Sequence, residues 1–313
     1  MPVMPYEGHV STDGAQSADA NIGRPALLRA IADGYSRQRA AGDQVRMLTV
    51  HGRVVRVAVR QGDGSWPPLL VCNGIGASLD LLQPFVDALD PGREVVRFDV
   101  PGIGGSAMPL VPYHLATLGP LVSGMLDQLG YPQADVLGIS WGGGLAQHLA
   151  VERRARVRRL VLVATSPGGL MVPGHPRALL RMLVPARRRD GGFPARIVGN
   201  LYGGRLRRDP ALAGDVLRAT TRLVASKGFL YQVLATVGWT SLPFLPLVGQ
   251  PTLILAGDDD PIIPVINARV MNRLIPHSEL IVYHGGHLDL ITEAEHMAAT
   301  VEAFLTAETV PGG

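Results

Sequence analysis

The chain has 313 residues, of which 47% are hydrophobic and 18% charged, a composition that can bury a large core and excludes a disordered chain. Its formal charge is only +3; arginines cluster at Glu152 to Arg159, Arg187 to Arg189 and Arg205 to Arg208, yet no aromatic residues interleave with them, which argues against nucleic acid as a partner. No apolar run approaches the roughly 18 residues of a membrane span, the N-terminus lacks signal-peptide character, and one cysteine, Cys72, forbids an internal disulfide, so a soluble cytoplasmic protein is expected.

Residues 1–23 are rich in Gly, Ala, Ser and Asp without a period and read as a tail. Pro25 opens a helical stretch in which Leu27, Leu28, Ile31 and Tyr35 share one face. Residues 1–44 therefore form an N-terminal extension. From Gln44 to Arg60 two strands turn at His51-Gly52, a hairpin suited to a sheet edge. Leu69 to Cys72 is a fully apolar run of the kind buried in a parallel sheet, and it ends in Asn73-Gly74-Ile75-Gly76. Glu94 to Phe98 forms a further strand, closing on a loop with Gly102-Ile103-Gly104. Neither glycine-rich loop completes G-x-G-x-x-G, because the sixth positions are Leu79 and Ala107, so a nucleotide site is rejected.

A helical stretch from Leu115 to Leu129 leads to the short strand Ala134 to Leu137 and then to Gly138-Ile139-Ser140-Trp141-Gly142, a G-x-S-x-G followed by helical residues. Strand, sharp turn and helix present a serine in strained backbone geometry, which requires small residues two positions before and after it. Gly138 and Gly142 meet that requirement. Another strand, Arg159 to Ala164, follows, and the alternation implies a parallel sheet with helices on both faces. From residue 167 to 249 the alternation stops, and proline-broken helical patterns read as an insertion over the strand ends. It resumes with a strand at Thr252 to Ala256, a helix near Val265 to Leu274, a strand at Glu279 to Tyr283 and a last helix from Thr292 to Leu305.

A serine hydroxyl needs an imidazole to accept its proton, and the imidazole needs a carboxylate to fix its tautomer. Asp258-Asp259-Asp260 follows one late strand and His284-Gly285-Gly286-His287 the next, so all these groups can converge with Ser140 at the carboxyl ends of the strands. Spacing by itself leaves the choice among the aspartates, and between His284 and His287, open. His284-x-x-His287 lacks a third ligand, and no metal or other cofactor is expected.

These features, together with NGIGA at Asn73, FDVPGIGGS at Phe98, GISWGG at Gly138, MVPG at Met171, YGG and RRDP between Tyr202 and Pro210, GWTS at Gly238, PTLILAGDDDPIIP at Pro251 and GHLDLIT at Gly286, resemble the α/β-hydrolases. Within them they resemble the intracellular medium-chain-length poly(3-hydroxyalkanoate) depolymerases, over about Met47 to Leu305. The resemblance implies an α/β-hydrolase fold with a mostly parallel central sheet, residues 45–166 and 250–313 as its core and 167–249 as a helical cap before the last two strands. It implies Ser140 as nucleophile, His287 as base and, through the spacing G-x-x-D-x-x-x-P at Gly257, Asp260 and Pro264, Asp260 as the acid. Backbone N–H groups of Ile75 and Trp141 would form the oxyanion hole, and Asn73, Gly74, Met171 and Trp239 would contact substrate. Asn73-Gly74 stands where most of the superfamily has His-Gly, and the depolymerases resemble this chain there. The expected activity is ester hydrolysis of the polymer at storage granules. A soluble small-ester esterase and a non-catalytic granule-binding protein are the alternatives.

Overall fold

The computed structural model describes residues 42–183, 195–213, 216 and 227–308. The expected tail and helix within residues 1–41, Arg187 to Arg189 and the side chains of Met182 and Leu183 lie outside the described residues. Eight strands form one sheet: β1 (Asp43–Val50), β2 (Arg53–Arg60), β3 (Leu69–Cys72), β4 (Val95–Phe98), β5 (Ala134–Ile139), β6 (Val157–Val163), β7 (Thr252–Gly257) and β8 (Ser278–Tyr283). Their order is β1-β2-β4-β3-β5-β6-β7-β8. β1, β2 and β4 pair antiparallel; every other neighbouring pair is parallel.

The hairpin turns where the sequence predicts it. His51 and Gly52 both take positive φ, 49° and 74°, the handedness that matches strand twist in a two-residue turn. β1 already takes in Asp43 and Gln44, and β6 starts at Val157, two residues ahead of the expected strand. Val54 is exposed, whereas Val55, Val57 and Val59, which point to the other face of the strand, are buried.

Alternation along the strands sends side chains to two cores. Leu70, Cys72, Val96, Val136, Leu160, Leu162 and Ile254 face one side, covered by α2 (Leu118–Leu129), α3 (Trp141–Glu152) and α8 (Val265–Leu274). Leu69, Val71, Val95, Leu137, Val161, Val163 and Leu253 face the other, under α1 (Gln83–Ala88) and α10 (Ala294–Thr306). The last helix is preceded by a short separate turn, α9 (Asp289–Thr292). Between β6 and β7 lie α4 (Pro176–Leu183), α5 (Ala195–Tyr202), α6 (Gly204–Arg208) and α7 (Lys227–Ala235). Among the described residues of this segment the only sheet-like pairing is the bridge Gly168 to Thr240. Gly174, Gly203 and Gly204 of this segment lie against Ile262, Asp259 and Gly286 in the loops after β7 and β8.

Candidate active site

The turn after β5 carries the strain that its sequence demands. Ser140 has φ 53° and ψ −119°, one of three positive-φ residues other than glycine among the described residues, and such a conformation persists only where the surroundings over-determine it. Here they do. Its N–H donates to the Val163 carbonyl at 3.0 Å, and its carbonyl accepts from Gly143 N–H at 3.0 Å and from the Thr165 hydroxyl at 2.7 Å. A Cβ on Gly138 would lie 2.6 Å from the Gly143 Cα, and one on Gly142 would lie 2.5 Å from the Asn73 carbonyl oxygen and collide with that of Cys72. Both glycines are therefore required by space.

His287 Nε2 lies 3.0 Å from Ser140 Oγ, and His287 Nδ1 lies 2.7 Å from Asp260 Oδ2. A carboxylate only accepts, so Nδ1 carries the proton and Nε2 faces the serine as acceptor. Asp260 and His287 are both buried. The other oxygen of Asp260 accepts from the N–H groups of Ile262 at 2.8 Å and Ile263 at 2.9 Å, which locks the carboxylate toward the imidazole. The neighbouring aspartates point elsewhere. Asp258 meets His284 at 3.2 Å in solvent; Asp259 accepts from Gly204 N–H at 2.8 Å and pairs with Arg207.

The loop bearing His287 is held from two sides. Its own N–H donates to the Tyr202 carbonyl at 2.7 Å, and the Tyr202 ring stacks on the imidazole with centroids 6.4 Å apart. Gly286 N–H donates to Asp289 Oδ2 at 2.9 Å, and Thr292 donates to Asp289 Oδ1 at 3.0 Å. Burial pushes the Asp289 carboxyl above its ordinary range. Burial likewise raises the Tyr283 phenol, with Asp289 and Asp260 adding to the shift.

On the opposite side of Ser140, Asn73 is buried and donates to the Ser78 carbonyl at 3.0 Å, so its amide shapes the loop after β3. A Cβ on Gly74 would sit 3.6 Å from the Ser140 Cβ, ordinary contact, while Gly76 takes φ 71°. Ile75 packs partly buried on the core. Trp141 is buried, its indole N–H donating to the Gln232 carbonyl at 2.9 Å. Gln232 Oε1 accepts from Gly76 N–H at 2.6 Å. Met171 Sδ accepts from the Ser166 hydroxyl at 3.0 Å. Trp239 is buried against Gly168 and Gly144.

Gln232, Tyr202 and Asp289 hold the site loops without a role in the sequence reading; Asn267 holds Val172 through hydrogen bonds of 2.8 and 2.9 Å. Asp289 and Tyr202 lie inside quoted motifs, but a polar residue in a helix such as Gln232 carries no sequence signal of a distant partner. Cys72 is buried, and burial pushes its thiol up to about 12, which leaves it an inert packing residue. Among the described residues no group of three His, Cys, Asp or Glu could hold a metal ion, and no helix is long and apolar enough to cross a membrane.

Residues 67–294 match the model of the alpha/beta hydrolase fold family. The chain is 46% identical over 263 residues to the poly(3-hydroxyalkanoate) depolymerase of Ectopseudomonas oleovorans, covering 84% of this chain and 93% of that protein. It is 26% identical to 3-oxoadipate enol-lactonase 2 of Acinetobacter baylyi, over 78% of this chain and 90% of that one. Among solved structures, a hydrolase from Pseudomonas aeruginosa superposes with a TM-score of 0.71 at 25% identity, covering 84% of this chain and 99% of that chain. The enol-lactonase of Burkholderia xenovorans gives the same TM-score at 24% identity, over 84% of this chain and 100% of that one. The chain belongs to the α/β-hydrolase family, and within it is an ester hydrolase of the group represented by the Ectopseudomonas oleovorans depolymerase.

Proposed function

We propose that the protein hydrolyses intracellular medium-chain-length poly(3-hydroxyalkanoate) through a serine-bound acyl intermediate. The observation that carries the chemistry is the continuous chain of hydrogen bonds from Ser140 Oγ through His287 to Asp260, at 3.0 and 2.7 Å. The polymer follows from the 46% identity to a poly(3-hydroxyalkanoate) depolymerase.

In the first step Ser140 Oγ attacks the ester carbonyl as His287 Nε2 takes its proton, and Asp260 stabilises the imidazolium. The N–H groups of Ile75 and Trp141 receive the developing oxyanion; Trp141 is the first residue of α3, so the helix N-terminus adds its dipole. Collapse breaks the bond to the departing hydroxyl end of the chain, which leaves with the proton from His287. Water then attacks the acyl-enzyme by the same route, releasing a 3-hydroxyalkanoic acid or oligomer and restoring Ser140. No cofactor takes part.

Residues 167–249 serve as the cap in this reading, and granules are where the enzyme works. Leu170, Val172, Leu180, Leu230, Val237 and Phe244 in this segment are exposed apolar residues, suited to an insoluble aliphatic polyester. Trp239 and Leu245 are buried and contribute packing.

The test is clearing of an amorphous medium-chain polyhydroxyalkanoate latex by purified protein, run beside a soluble nitrophenyl ester. Wild type should act on both, and Ser140→Ala and His287→Ala should lose at least about 10⁴-fold in kcat on both while folding normally. Cleavage of the soluble ester alone would make this a small-ester esterase. Turnover retained by Ser140→Ala would remove the serine mechanism.

A further inference from the structure

Gln232 lies on α7 with 1% of its surface exposed, within the segment between β6 and β7, and reaches both loops that flank Ser140. Its side-chain carbonyl accepts the N–H of Gly76, 156 positions away in the chain. Its backbone carbonyl accepts the indole N–H of Trp141, 91 positions away. That carbonyl is among the last four of α7, which have no partner within the helix, so the bond to Trp141 supplies the partner that the helix end lacks. The helix bearing these groups is closely fitted to the core. A Cβ on Gly228, in the same helix, would collide with the Gly102 carbonyl oxygen and approach Ile103 Cδ1 to 3.1 Å, which fixes how α7 sits on the loop after β4.

We propose that Gln232 is a positioning residue that sets the oxyanion hole, and that α7 must be seated for that hole to be formed. The inference rests on the serine mechanism proposed above. Gly76 follows Ile75, whose N–H is one proposed donor; Ala77 N–H donates to the Gly74 carbonyl at 3.2 Å and Gly76 has φ 71°, so Ile75 and Gly76 are the central residues of a tight turn. By taking the Gly76 N–H, Gln232 Oε1 fixes the Ile75–Gly76 peptide plane and with it the neighbouring plane that carries the Ile75 donor. The bond to the Trp141 indole holds that side chain against α7, while the peptide plane that carries the Trp141 N–H is held at the Ser140 carbonyl by Gly143 N–H and the Thr165 hydroxyl. Gln232 thus touches both residues flanking the hole and sets the backbone beside the Ile75 donor. A donor displaced by about 1 Å from the developing charge loses a large part of its effect, on the order of 100-fold in rate.

The experiment uses full-length protein, a soluble nitrophenyl ester, and a boronic acid as a mimic of the tetrahedral adduct on Ser140. Gln232→Asn keeps the amide but draws its carbonyl back by one methylene, and Gln232→Met fills the space without an acceptor. Each should lower kcat about 10- to 100-fold with KM within about two-fold, and should weaken the boronic acid by the same factor as kcat. Gln232→Glu keeps a carboxyl oxygen within reach of Gly76 N–H and should recover most of kcat. Melting temperature monitors folding, and should Gln232→Met fail to fold, Gln232→Asn decides. Wild-type kcat in Gln232→Asn overturns the proposal; so does a loss that Gln232→Glu shares, or one that leaves boronic acid affinity unchanged. An inactive Ser140→Ala beside a fully active Gln232→Asn sinks this inference alone, whereas an active Ser140→Ala sinks the mechanism beneath it.

Discussion

Asp258, Asp259 and Asp260 follow β7 in succession, and their surroundings give them three different tasks. Asp258 shares an exposed pair with His284, an arrangement that contributes little. Asp259 ties Gly204 and Arg207 to the acid loop. Asp260, buried and held by two backbone N–H groups, faces His287. Asp260→Asn should therefore lower kcat by up to about 10⁴-fold, since an amide in place of the carboxylate permits the wrong imidazole tautomer. Asp258→Asn should leave kcat within about two-fold. Steady-state rates on a soluble ester separate the two, and equal losses would show that the loop is rearranged in solution. Spacing alone could not make this choice, because a one-residue slip in a loop exchanges one aspartate for the next. What decides it is a hydrogen-bond partner 27 positions away. The Ser140 turn was legible for the opposite reason: the residues that enable it, Gly138 and Gly142, are its own near neighbours, and the clashes that require them lie in the adjoining loop and helix.

At the level of elements, the junction of α5 and α6 works as a clamp on two site loops at once. Tyr202 receives the His287 N–H; Gly203 has φ 68°, where an added Cβ would collide with the Asp259 carbonyl oxygen, and Gly204 has φ 55°, where one would collide with Gly286 N. The Tyr-Gly-Gly motif is visible in the sequence, but it reads there as a feature of the insertion. That it grips the acid and base loops depends on strand order, which brings the ends of β7 and β8 beneath it. Gly203→Ala adds a Cβ at positive φ against a backbone oxygen that cannot move without shifting Asp260. It should destabilise the protein by about 2–4 kcal/mol and lower kcat at least about ten-fold. A melt and a rate assay on the same preparation check both. Lost stability with normal kcat would mean that the clamp only packs.

Across the whole molecule, a buried ion network and the reacting groups occupy opposite ends of the sheet. The alternation of strands and helices was legible from apolar runs and periodicity. The insertion of β4 between β2 and β3 was not, since pairing order depends on which crossovers bury the most surface. At the amino ends of the strands, Arg93 and Asp135 are both fully buried. Arg158 donates to Asp135 at 2.8 and 2.5 Å, and Arg93 reaches Glu302 at 2.6 Å and Asp135 at 3.8 Å. β5 rises about 3.3 Å per residue, which puts Asp135 about 16 Å from Ser140. Burial pushes the Asp135 carboxyl above its ordinary range, with Arg158 and Arg93 pulling it back. A carboxyl whose folded-state pKa lies above the unfolded one, about 3.9, keeps its proton longer in the folded chain. Its contribution to stability is full below the unfolded value and is lost as pH rises through the folded one. Asparagine does not titrate, so the melting temperature of Asp135→Asn minus that of wild type should move upward from about pH 4 to about pH 7. The rate constant on soluble ester should stay within about two-fold, because the site is remote from the substitution. A difference that moves downward with pH would show that the two arginines outweigh desolvation, and the charged network would then be a net source of stability at neutral pH.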